Sequence, residues 1–105
     1  MALYETTFFS QQKSRSLALA ALRPKINEQL TRLKTLGAFG GEAPVVSLAA
    51  KTAIKNACGN PNTANAHVYE TGISGHWRIF FGQGHSGGVV VFCVGHLNGN
   101  VLEQP

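Results

Sequence analysis

The chain has 105 residues, 44% hydrophobic and only 13% charged, a composition that builds one compact core and excludes both a disordered polyelectrolyte and two independent domains. Nine Lys/Arg stand against five Glu and no Asp, giving a formal +4 and a pI near 9.4, a balance that suits a polyanionic partner. The uncharged stretch between Arg78 and Glu103 is broken by Gly82-Gln83-Gly84-His85-Ser86-Gly87-Gly88, so no apolar run reaches the roughly 20 residues of a membrane-spanning helix. The start, MALYETTFFSQQKSR, has no basic segment followed by an apolar one, so the expectation is a cytoplasmic protein; a module cut from a larger secreted chain reads the same way. Two cysteines, Cys58 and Cys93, are too few for an oxidised scaffold and read as reduced thiols.

Leu3 to Phe9 is rich in Tyr, Thr and Phe and predicts an opening strand. Ser10 to Leu22 turns helical, with Ala and Leu dense in SLALAAL. Pro24 cannot continue that helix but fits the first turn of the next, so a break falls at Arg23 and Pro24. Ile26, Leu30, Leu33 and Leu36 then recur at helical spacing, and Gly37 supplies a stop, so the two segments read as a helical hairpin. Beyond a Gly-rich connection from Gly37, Pro44 to Ala57 predicts a third helix that carries Lys51 and Lys55 one turn apart and ends at Cys58-Gly59. GNPNTAN, residues 59–65, is loop chemistry. His67 to Thr71, His76 to Phe81 and Gly88 to Gly95 are short, β-branched or aromatic, and separated by Gly72-Ile73-Ser74-Gly75 and Gly82 to Gly87, which predicts an antiparallel meander. The class is α+β: an N-terminal strand and helical hairpin packed on a C-terminal antiparallel sheet of three to four strands.

Eight of the nine cations precede residue 56, and Arg78 stands alone after it, so the basic surface comes from the helices. Gly84-His85-Ser86-Gly87-Gly88 satisfies the G-x-S-x-G pattern of a nucleophile elbow. That elbow needs a helix after the turn, whereas Val89-Val90-Val91-Phe92 forms strand, so a hairpin loop is the preferred reading. The scattered His67, His76, His85, His96 and the two Cys lack the close ligand pairs of a metal site, so none is expected. Strand parity is more informative. Trp77, Ile79 and Phe81 share one face of their strand and read as the helix-packed side, which leaves His76, Arg78 and Phe80 on the other, expected to be open. In the flanking segments His67 pairs in parity with Tyr69, and His96 with Val94, so one open face is expected to gather His67, Tyr69, Arg78 and His96. Such a set suits phosphodiester cleavage: His or Tyr takes the 2′-hydroxyl proton, a protonated His supplies one to the leaving oxygen, and Arg balances the phosphate. The plainer reading is that these are ordinary half-exposed strand residues.

The order strand, two helices, meander, with HWRIFF followed by VVVFCVGHLNG, resembles the RelE/ParE toxin superfamily over residues 66–97. Arg78 falls on the family's strand arginine and Gly95-His96 on its terminal Gly-His, while Trp77, Ile79, Phe81, Val90, Phe92 and Val94 fill its apolar alternation. The resemblance implies one RelE/ParE-like domain over residues 1–105, belonging to a toxin that either cuts messenger RNA in the ribosomal A site or inhibits DNA gyrase without nuclease chemistry, with an antitoxin covering its groove. The family often continues with an Arg and a later Tyr or Lys, where this chain has Leu97-Asn98-Gly99-Asn100; related barnase- and colicin-like ribonuclease toxins vary their catalytic residues in this way. The expectation is therefore a toxin-like endoribonuclease working without metal or cofactor. Arg78 would clamp phosphate, His96 with His67 or Tyr69 would move protons, and Lys51, Lys55 and His76 would hold RNA. Its partners would be RNA or the ribosome and an antitoxin or immunity protein, with no membrane. The competing expectation is a non-catalytic binder on the same scaffold, a gyrase inhibitor or a phage or mobile-element accessory protein.

Overall fold

The computed structural model describes residues 3–36, 43–59, 67–83 and 88–105. Strand β1 is Leu3–Glu5, and the chain turns at once into helices α1 (Thr7–Arg15), α2 (Leu17–Ala20) and α3 (Arg23–Leu36). The expected strand through Phe9 stops at Glu5 because Thr6 caps α1: its Oγ1 accepts the Phe9 N–H at 3.1 Å and donates to the Phe92 carbonyl at 2.6 Å. Ser16 caps α2 in the same way and divides the single helix expected over Ser10 to Leu22. Pro24 lies in the first turn of α3, where its missing N–H costs nothing. Strand β2 (Ala43–Val45) occupies the beginning of the segment expected as helix, and α4 (Leu48–Cys58) takes the rest, capped by Ser47 and closed by Gly59 at φ +64°. The Gly37 stop, the Gly40-Gly41 connection and most of GNPNTAN lie outside the described residues.

Strands β3 (Val68–Ser74), β4 (Trp77–Gln83) and β5 (Val89–Asn98) form the expected antiparallel meander, each longer than its sequence segment. The sheet order is β1-β5-β4-β3-β2, with β1 parallel to β5 and β2 antiparallel to β3. A short β6 (Val101–Glu103) folds back on the end of β5 through a turn at Gly99, whose φ of +63° favours glycine. Gly84 to Gly87 of the G-x-S-x-G motif lie outside the described residues; the motif is flanked by paired strands, as the hairpin reading requires.

Helices cover both sides of this sheet. On one, Phe9, Leu19, Ile26, Leu30 and Leu33 from α1 to α3 pack on Ile73, Ile79, Phe81, Val89, Val91 and Val94, so the side carrying Trp77, Ile79 and Phe81 is the helix-packed one. On the other, Ala50 and Ile54 of α4 and Val45 of β2 bury Val68, Phe80, Phe92 and Cys93. Phe80 is fully buried there, so the face expected to be open is a second core. Burying each such large apolar side chain stabilises the fold by about 1.5–3 kcal/mol. Between Phe80 and Phe81 the pairing skips from Cys93 to Val91, a bulge that makes Phe92 an extra residue on β5 and turns Phe92 and Cys93 consecutively toward α4. Among the described residues no helix is long and apolar enough to cross a membrane.

Candidate functional site

Ser74 pairs with Trp77, leaving Gly75 and His76 as a two-residue hairpin loop; Gly75 sits at φ +59°, open to glycine without steric cost. His76 is thus carried exposed at the tip of the β3–β4 hairpin. On the neighbouring strand Gly95 pairs with Arg78, so the next residue, His96, stands level with Trp77. The His76 and His96 rings meet with centroids 4.6 Å apart and planes tilted 48°. Trp77 closes the group, its ring 4.5 Å from that of His76. His96 and Trp77 are half-buried, so two imidazoles from different strands come together at a solvent-facing end of the sheet with an aromatic plane beside them.

Arg78 is close in sequence but differently disposed. Its register partner is Gly95, so the two share the α4 side of the sheet while Trp77 and His96 take the helical-hairpin side. Its Nη1 donates to the carbonyls of Gly75 at 3.0 Å and Trp77 at 3.1 Å, the two residues that flank His76. The guanidinium therefore fastens the turn that presents His76. The expectation that Arg78 and His96 share an open face is corrected: the register places them on opposite faces, and one of those faces is largely covered by α4.

His67 and Tyr69 are not brought to this group either. Val68 pairs with Gly82 and Tyr69 with Phe81, four residues along β4 from Trp77, roughly 13 Å at about 3.3 Å per residue. The Tyr69 ring stacks on Phe81 at 5.9 Å and packs against the helix-side core, and His67 is exposed just ahead of β3. Lys51 and Lys55 are half-buried on α4, against the sheet face opposite His96. Of the residues expected to act, His76 and His96 come into ring contact, and His76 does so as a turn residue rather than as a strand neighbour of Arg78.

One polar arrangement lies outside the sequence expectations. Arg32 of α3 donates through Nη2 to Thr71 Oγ1 at 2.9 Å and through Nε to Gln29 Oε1 at 2.9 Å, and Thr71, only 8% exposed, completes a lock between helix and sheet. Cys93 lies buried beneath α4, where desolvation, with Cys58 nearby, pushes its thiol well above the ordinary range. Among the described residues no three His, Cys, Asp or Glu side chains converge as metal ligands would.

No family model, curated protein or solved structure matches the chain.

Proposed function

We propose that the protein is a small basic endoribonuclease of RelE/ParE-like type, cleaving RNA by acid–base chemistry that requires no metal, with His76 and His96 as the proton-moving pair. The contact between these two imidazoles at the accessible end of the sheet carries the proposal. One imidazole, neutral, takes the 2′-hydroxyl proton; the 2′-oxygen bonds to the adjacent phosphorus as the bond to the 5′-oxygen breaks; the other imidazole, protonated, gives its proton to that leaving oxygen. The products are a 2′,3′-cyclic phosphate and a free 5′-hydroxyl. Trp77, packed against the helix-side core, backs the His76 ring, and the formal +4 charge favours a polyanionic substrate. Arg78 acts as a positioning residue, through the carbonyls on either side of His76. A cytoplasmic target and a neutralising antitoxin or immunity protein belong to the same proposal.

The separation of Arg78 from His96 favours a second reading, a non-catalytic binder such as a gyrase inhibitor. One assay divides the two: purified protein with RNA in the presence and absence of ribosomes, in EDTA, with product ends identified. Cyclic phosphate ends from the wild type, absent with His76→Ala and His96→Ala and with a 2′-deoxy substitution at the scissile nucleotide, are expected. An RNA left intact under every condition supports the binder.

A further inference from the structure

The net formal charge of the molecule comes from one part of the chain. Residues 3–36 hold Lys13, Arg15, Arg23, Lys25, Arg32 and Lys34 against Glu5 and Glu28, six cations over two carboxylates and so the whole formal +4. The remaining Lys51, Lys55 and Arg78 are matched in number by Glu42, Glu70 and Glu103. Within that basic layer an open groove of about 340 Å³ runs between α1 and α3, lined by Glu5, Ser10, Lys13, Ser14, Arg23 and Asn27.

Glu5, Ser10, Lys13 and Arg23 of the groove are held by bonds within the protein. The Lys13 ammonium lies 5.0 Å from the Phe9 ring centre and bridges both Glu5 oxygens at 2.8 and 2.9 Å, while Ser10 Oγ donates to Glu5 Oε1 at 3.1 Å. Glu5 is thus neutralised by its own neighbour. Arg23 is anchored at one corner, where Nη2 donates to the Lys13 carbonyl at 2.8 Å, and among the described residues its charge has no carboxylate partner. The groove carries one net positive charge, held on a planar donor fork whose other N–H groups have no partner among the described residues.

We propose that this groove seats a phosphate group of a nucleic-acid backbone, with Arg23 as the principal contact and Lys13 and Asn27 as further donors, the Ser14 hydroxyl being committed to the Ser10 and Gln11 carbonyls. A lone carboxylate would satisfy the fork as well. The surrounding layer, with cations along both α1 and α3, favours a ligand that repeats its charge every few ångströms. The inference deepens the nuclease proposal and moves the expected backbone contact from Lys51 and Lys55 on α4 to the opposite side of the sheet.

Fluorescence anisotropy with a labelled single-stranded RNA of about 20 nucleotides, over a range of salt concentrations, tests it apart from cleavage. Arg23→Gln is expected to weaken binding about tenfold and to reduce the slope of log affinity against log salt by about 0.7, with Arg23→Lys falling between it and the wild type. The paired substitution Lys51→Gln, Lys55→Gln is expected to stay within twofold. A second arm at constant ionic strength asks whether inorganic phosphate alone competes: competition with the wild type that is lost in Arg23→Gln supports a phosphate seat, and an equal effect on both proteins overturns it. An unchanged affinity and slope for Arg23→Gln, or no RNA binding by the wild type, also overturns it. The two proposals fail separately, because RNA that binds through Arg23 without being cut refutes only the nuclease, and RNA that is cut regardless of Arg23 refutes only the groove.

Discussion

Gln12 is bound to Val94 at both ends of its amide: Nε2 donates to the Val94 carbonyl at 2.9 Å, and the Val94 N–H donates to Oε1 at 2.8 Å. The side chain completes the edge of β5 between β1, whose pairing ends at Val91, and β6, whose pairing begins at His96. Thr6 fills the step before it, donating its N–H to the Val91 carbonyl and its hydroxyl to that of Phe92. Removing the amide strands two main-chain groups on β5, so Gln12→Ala is expected to lower stability by about 2 kcal/mol, read as a drop in the urea midpoint at unchanged slope. Gln12→Glu keeps the acceptor but donates only when protonated. Its carboxyl is then held protonated more strongly in the folded than in the unfolded state, so this variant should be more stable at low pH and lose that gain as pH rises.

Much of the fold was legible. The spacing of Ile26, Leu30 and Leu33 identified the buried stripe of α3, and the alternation of Trp77, Ile79 and Phe81 identified the side of β4 that meets the helical hairpin. Period-two parity works within one strand because successive side chains alternate sides. It says nothing of the register between strands, where a slip of one residue moves a side chain to the other face. That is how Arg78 and His96, grouped by parity, came apart, since Arg78 pairs with Gly95. A signal for the true contact was present: folding His76 to Phe81 back on Gly88 to Gly95 about a turn centred near residue 86 sets His96 opposite His76 and Trp77. The cover of α4 on the second face, the Phe92 bulge and the parallel β1 are tertiary choices, and no local pattern in the chain encodes them.

Phe80 distinguishes a covered second face from an open one. Fully buried among Val45, Ile54 and Phe92, it leaves a cavity when truncated, and Phe80→Ala is expected to cost about 3–5 kcal/mol. The measurement is chemical denaturation; a loss below 1 kcal/mol, the value of a half-exposed strand residue, would mean that α4 does not seal this side.

The two thiols should differ in reactivity. Cys93 is buried with its thiol pushed up by desolvation, whereas Cys58 is half-exposed at the end of α4. Iodoacetamide at pH 8, followed by peptide mass spectrometry, should label Cys58 in the native protein and Cys93 only after denaturation. Because the folded state holds the Cys93 proton more tightly than the unfolded chain does, its contribution to stability is complete below the ordinary thiol range, about 8.5, and declines as pH rises beyond it. Labelling of both cysteines at one rate would mean that Cys93 is not sealed.

The joint action of His76 and His96 is read most directly from RNA cleavage rates measured in EDTA across pH for the wild type, the two single variants His76→Ala and His96→Ala, and the double variant. A bell-shaped profile is expected for the wild type. Each single variant should lose about a hundredfold or more, and the double variant should lose little beyond either, because acid and base act as a unit. Arg78→Ala should lower the rate less, by loosening the turn that holds His76. Wild-type rates from either single histidine variant would contradict the assignment.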